Sequence, residues 1–206
     1  MTSILHRQET SPSFRDWVSE TFPFEQYYRA HRIERSIRKH LDGANTLLDC
    51  GSGSMRVAKL VERRTRIKAY GTDVIHLNAG HMRFCLCAGE HLPFADNSFD
   101  VVTLMFVLHH TRDAAIAIKE CARVARKHVL ILEDIYSHPL EKELLKFLDV
   151  LGNFTISLDM PFPFTFKTVA EWECTFEKLG LHLAASEKIV PSPLRPSRHR
   201  LFLLEK

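Results

Sequence analysis

The chain of 206 residues has no apolar run of the roughly 18–20 residues needed to cross a bilayer, so a membrane span is not expected. Its first residues, Met1-Thr2-Ser3-Ile4-Leu5-His6-Arg7, lack the apolar centre of a secretory signal, and the expected compartment is the cytoplasm. No internal repeat and no low-complexity segment is present. Neither sign of charge dominates: a net charge of +3 neither demands nor excludes an anionic partner. Cysteine is sparse and odd in number, at Cys50, Cys85, Cys87, Cys121 and Cys174. Cys85-Leu86-Cys87 has no second pair to complete a zinc set, so no metal ligands are assigned. The thiols are expected to be small buried hydrophobes in a reducing compartment.

Hydrophobic residues at 45% and charged residues at 26% are the mixture of a globular protein, and the length suits one domain with a sizeable core. Short apolar runs alternate with helical patterns, which predicts an α/β fold with a mostly parallel sheet flanked by helices. Residues through about Glu25 are expected to form an arm or short helix. A helix is predicted over Tyr28–Leu41, with Ile33, Ile37 and Leu41 on one side, ended by Asp42-Gly43. Strands are predicted at Thr46–Cys50, Lys68–Thr72, Arg83–Cys87, Val101–Met105 and His128–Leu132. Helices are predicted from Gly53 to Glu62, over Asp113–Ala125 and over His138–Leu151, the last with Leu144, Leu145 and Leu148 inward. Gly152–Phe166 reads as an ordered aromatic loop. Thr168 and Glu171 form a capping box for a helix that Gly180 ends. Leu181–Val190 and His199–Leu204 make a final strand pair around the turn Pro191–Pro196. Residues 1–44 are expected to cap a pocket in the domain formed by 45–206.

The informative stretch is Leu47-Leu48-Asp49-Cys50-Gly51-Ser52-Gly53. A buried strand runs into a glycine-rich turn and then a helix whose first N–H groups lack partners. Two cofactor classes use that geometry. A dinucleotide site wants a third glycine where this chain has Arg56, and Asp49 suits a cofactor bearing an ammonium group better than a pyrophosphate. Twenty residues beyond Gly53, Asp73 ends the second strand, where a carboxylate can accept hydrogen bonds from ribose hydroxyls.

These segments resemble the type 11 family of class I S-adenosylmethionine-dependent methyltransferases, which includes quinone-biosynthesis enzymes. Leu47–Gly53 resembles the family's first motif and Gly71-Thr72-Asp73-Val74 its second. Gly89-Glu90-His91-Leu92-Pro93-Phe94-Ala95-Asp96-Asn97-Ser98-Phe99-Asp100 is similar to the segment entering the fourth strand, and Phe106-Val107-Leu108-His109-His110 to the one leaving it. The similarity covers about residues 45–135. It implies a Rossmann-like three-layer sandwich with a seven-stranded sheet whose last strand is antiparallel. It also implies S-adenosyl-L-methionine as cofactor and S-adenosyl-L-homocysteine as product. Cofactor contacts are implied at Asp49, Cys50, Gly51, Ser52, Gly53, Asp73, Val74, Ala88, Gly89, Glu90 and Met105. Three features depart from the family. Ala88 replaces an aspartate that binds the adenine amino group in many relatives. Met55 replaces a third glycine. Val74 to Met82 is short for a crossover, with its helix reduced to a turn or two.

Methyl transfer is a displacement at a sulfonium methyl, for which the protein supplies alignment and a dry pocket. Candidate bases are His109, His110, Glu133 and Tyr28. His110 and Tyr28 are assigned as catalytic, His110 because the resemblance implies a place where the loop after the fourth strand faces the methyl group. Residues 1–40 and the aromatic loop with Phe154, Phe162, Phe164 and Phe166 are expected to choose a small-molecule acceptor. An RNA methyltransferase is one alternative, although the chain has no Asn/Asp-Pro-Pro-Tyr/Phe motif and no Pro-Cys motif. A non-catalytic cofactor-binding scaffold is the other.

Overall fold

A computed structural model describes residues 23–77, 82–153, 164–190 and 198–206. The expected arm before Pro23, Phe154 and Phe162 of the aromatic loop, and the turn Pro191–Pro196 lie outside these residues. The elements follow in the order α1 (Pro23–Arg38), β1 (Thr46–Cys50), α2 (Arg56–Arg64), β2 (Lys68–Asp73), β3 (Arg83–Leu86) and β4 (Phe99–Met105). A 3-10 turn (Leu108–His110) leads to α3 (Ala114–Val124), β5 (Ala125–Ile135), α4 (Pro139–Asn153), α5 (Val169–Lys178), β6 (His182–Ile189) and β7 (Arg198–Glu205).

The seven strands lie in the order β3-β2-β1-β4-β5-β7-β6. Strands β1 to β5 pair in parallel, and β7 runs antiparallel to both β5 and β6. Strand alternation divides the core between two faces. Leu47, Val101, Leu130 and Leu132 face Ile33 and Ile37 of α1 and Val61 of α2. Leu48, Val102, Leu104 and Ile131 face Ile118 of α3 and Trp172 and Phe176 of α5. The central strands are apolar on both sides because both sides are covered. The strand order reverses direction between β1 and β4, which makes their C-terminal ends the switch point of the sheet. The crevice there is where α/β sheets of this kind hold ligands.

Local chemistry sets the boundaries. Asp113 caps α3 by accepting from the N–H groups of Ala115 and Ile116. Thr168 and Glu171 form the predicted capping box on α5. Gly180 follows that helix with φ +70°. Four details differ from the sequence reading. Helix α1 starts at Pro23, five residues earlier than Tyr28, and stops at Arg38; Leu41 is buried beyond its end. Strand β5 runs eleven residues: β4 pairs with its start at Ala125, and β7 pairs with it from His128 to Ile135. On α4, Leu145 is buried but Leu144 is exposed, so the inward stripe is narrower than expected. Between Asp73 and β3 the described residues form bends rather than a helix.

Ile37 is fully buried between α1 and the sheet. Replacing it with alanine should cost about 2–5 kcal/mol in chemical denaturation. A loss below about 1 kcal/mol would mean that α1 is an appendage rather than a member of the core.

Candidate functional site

At the end of β1 the chain enters a loop whose glycines are required by geometry. Gly51 has φ +73°, and a Cβ there would come within 2.3 Å of the Val107 side chain. The loop therefore lies directly against the exit of β4. Gly53 also has a positive φ, and a Cβ there would meet nothing within 4 Å, so the loop faces open space on that side. Gly89 is closed to side chains as well, with Cys50 Sγ at 3.0 Å from its ideal Cβ. Met55, in the position of the family's third glycine, adopts φ 57° and is buried. Its thioether fills the space over Gly71. Phe106 also takes a left-handed conformation, at φ 59°. Bulky side chains seldom adopt that region, and such strain concentrates where a ligand site over-determines the backbone.

Two carboxylates flank the loop. Asp49 is buried and accepts a hydrogen bond from Thr103 Oγ1 at 2.8 Å across the β1–β4 pair. Burial raises its pKa to about 7, against the lowering effect of Thr103 and with a further push from the Asp73 charge. Asp73 ends β2 and accepts from Gly53 N at 2.8 Å and from Ile75 N at 3.2 Å. It thus tethers the glycine loop to the neighbouring strand, and a carboxylate has lone pairs left beyond these two bonds.

The turn after β4 is organised by Glu133 of β5. One of its oxygens accepts from Val107 N at 2.9 Å and Leu108 N at 2.7 Å. The other meets His109 Nδ1 at 2.6 Å. Phe166 stacks on the face of that ring, with centroids 4.8 Å apart. Burial disfavours a charge on His109, but the Glu133 carboxylate, supported by Asp149 and Asp134, outweighs it and raises the pKa to about 10. His110 is shifted the other way, to about 4, by burial and by the charge on His109. Asp149 of α4 stands close to both imidazoles.

The structure therefore brings together Asp49, Cys50, Gly51, Ser52, Gly53 and Asp73 at the strand ends. Ala88, Gly89 and Glu90 follow β3 beside them, and Met105 closes β4. Val74 follows Asp73 and is exposed. Tyr28 lies on α1 and is 40% exposed, while its neighbour Tyr27 packs edge-on against His31. On and beside α1, Arg38 pairs with Glu34, Lys39 just past the helix with Glu187, and Arg64 of α2 with Glu34. Arg29 lies over the Phe106 ring at 4.4 Å. The sequence reading offered Glu133 as a base, but its contacts are those of a buried anchor. It missed Thr103 and Asp149. A carboxylate inside the apolar run Val129–Ile135 was the signal for an anchor of that kind; Asp149 gave none.

Comparison with known proteins places this geometry. Residues 48–132 match the model of a family described as methyltransferase domain. The chain is 36% identical over 73 residues to the ubiquinone/menaquinone biosynthesis C-methyltransferase UbiE of Cellvibrio japonicus, covering 34% of this chain and 28% of that protein. It is 35% identical over 106 residues to the demethylmenaquinone methyltransferase of Mycobacterium marinum, covering 50% of this chain and 45% of the relative. The matched segment thus spans less than half the length of either relative. Among solved structures, a chain from the complex of the Haloferax volcanii Trm112 methyltransferase activator with a methyltransferase superposes with a TM-score of 0.69 at 18% identity, over 94% of this chain and 95% of that one. Magnesium protoporphyrin IX methyltransferase from Synechocystis with bound S-adenosylhomocysteine gives 0.63 at 14% identity, over 92% and 87%. These likenesses establish the fold, and the sequence matches establish the family of the central segment. Residues 48–132 thus match the methyltransferase-domain family, and the relatives that align there are named for quinone methylation.

Proposed function

We propose that the protein transfers a methyl group from S-adenosyl-L-methionine to a small-molecule acceptor by direct displacement. The observation that carries this reading is the placement of two carboxylates, Asp49 and Asp73, on either side of a glycine loop open at Gly53. That set fits the cofactor. An ammonium group is matched by Asp49, whose burial makes it costly to ionise without a cation nearby. Ribose hydroxyls are matched by the lone pairs left on Asp73, and a flat base by the backbone at Ala88, Gly89 and Glu90. Bound there, the cofactor supplies an electrophilic methyl group.

The remaining work belongs to this chain's residues. Gly51 lets the loop lie directly against Val107 at the β4 exit. Glu133 fixes the turn that presents His109 and His110 toward the acceptor side. His110, held neutral by its surroundings, can hydrogen-bond the acceptor, and Tyr28 on α1 is assigned to the same side. Residues 1–44 act as the cap in this reading. A small-molecule acceptor is supported by the relatives, which are named for quinone methylation.

Calorimetry with S-adenosylhomocysteine tests the reading directly. Asp73→Ala should weaken binding by at least about tenfold, the cost of losing hydrogen bonds to a charged group. Unchanged affinity would remove Asp73 from the site. Asp49 makes a separate prediction that needs no ligand. Its folded pKa of about 7 lies above the unfolded value of ~3.9, so between these values the folded state binds more protons and loses stability as pH rises. Asp49→Asn removes that titration. Urea unfolding should show the variant gaining on the wild type by about 2 kcal/mol between pH 5 and pH 8. A difference independent of pH would show that Asp49 ionises normally in the folded protein.

A further inference from the structure

The turn after β4 and helix α4 bring three side chains to one point. Asp149 Oδ1 lies 3.5 Å from His109 Nε2 and 3.6 Å from His110 Nε2. One ligand atom from each of the three residues can be chosen so that all lie within 4.8 Å of one another. Separations of 3.5 and 3.6 Å are long for hydrogen bonds, whose usual range ends near ~3.2 Å. They match the spacing of neighbouring ligands around a tetrahedral ion: bonds of about 2.0–2.1 Å give an edge of roughly 3.4 Å. Behind His109, Glu133 contacts Nδ1 at 2.6 Å and is itself fixed by two backbone N–H groups. A carboxylate on the far nitrogen is the support that metal-binding histidines commonly have. It keeps the proton on Nδ1, turns Nε2 outward and raises its basicity. Phe166 stacked on the ring restricts its rotation further.

We propose that His109, His110 and Asp149 form a binding site for one divalent transition-metal ion of the zinc class, with Glu133 as the positioning residue behind His109. Two imidazoles and a carboxylate are ligands suited to zinc, cobalt or ferrous iron. Three protein ligands leave a fourth position for water or an oxygen of another molecule. His110 and Asp149 are each partly exposed, so the point can be reached from solvent. Binding replaces a proton on His109 Nε2 with the ion, and no bond to carbon is made or broken. The charges of Glu133 and Asp149 together balance a divalent cation. The site lies on the turn that leaves β4, beside Val107 and its contact with Gly51. Its position on the acceptor side of the pocket rests on the methyl-transfer reading; binding of the ion does not. In that setting His110 acts as a ligand, and a hydroxyl at the open position loses its proton more readily, as metal-bound water does.

Cobalt(II) is the probe, added to the 206-residue chain with all thiols reduced by a phosphine. The expected result is one equivalent bound, with visible d–d bands of nitrogen and oxygen coordination and no thiolate charge-transfer band. Asp149→Asn and His110→Asn should each weaken binding by about tenfold or more, and Glu133→Gln by a factor in the range of about 10–100. Absence of cobalt bands in the wild type would overturn the proposal. Bands of thiolate character, or equal affinity in wild type and both ligand variants, would overturn it as well. S-adenosylhomocysteine calorimetry on the same samples separates the two readings: a protein that binds the nucleoside but no cobalt keeps the proposed function and loses the metal site.

Discussion

Glu133 is a fully buried carboxylate in the middle of an apolar strand, and the turn beside the pocket depends on it. A charge in that position is costly unless its lone pairs are used. Here two backbone N–H groups and one imidazole use them, all from the five residues after β4. The consequence is a rigid turn at the topological switch point of the sheet, where Val107 meets Gly51 and both histidines are presented together. Asp49, on β1, is buried too, but only Thr103 offsets its charge through a side chain, and its pKa rises accordingly. Glu133 is thus satisfied within the protein, whereas Asp49 is the group that the proposed function sets against the ammonium of the cofactor.

Much of the fold was legible because it rests on local rules. The short apolar runs Thr46–Cys50 and Val101–Met105, the capping pair Thr168 and Glu171, and the left-handed turns at Gly43 and Gly180 each depend on a few neighbouring residues. The length of β5 was not legible, since it is set by pairing with β4 at its start and with β7, about seventy residues later in the chain. Leu144 was misplaced for a similar reason: a helical stripe shows which residues share a face but not how much of that face is covered. In the candidate site, Asp49, Gly51, Gly53 and Asp73 were found because a motif keeps them near each other in sequence. Asp149 was not, because its meeting with His109 and His110 depends on how α4 packs. Asp73 has a duty that spacing could not reveal, the bond to Gly53 N that holds the loop in place.

Met55 and Ala88 are the positions where the resemblance implied a departure from the family. Met55 occupies a left-handed position with a large side chain and fills the space over Gly71, so the start of α2 is packed rather than open. Ala88 offers no side-chain acceptor to an adenine amino group.

Calorimetric titration of the wild-type protein with S-adenosylhomocysteine at about pH 5.5 and about pH 7.5 tests that account most directly. The ligand keeps its ammonium group across this interval, whereas Asp49 must give up its proton to meet it. The account predicts one molecule bound per chain, with affinity rising by up to about tenfold for each pH unit below about 7 and levelling above it. No binding, or an affinity that is flat or falling over the same interval, would contradict it.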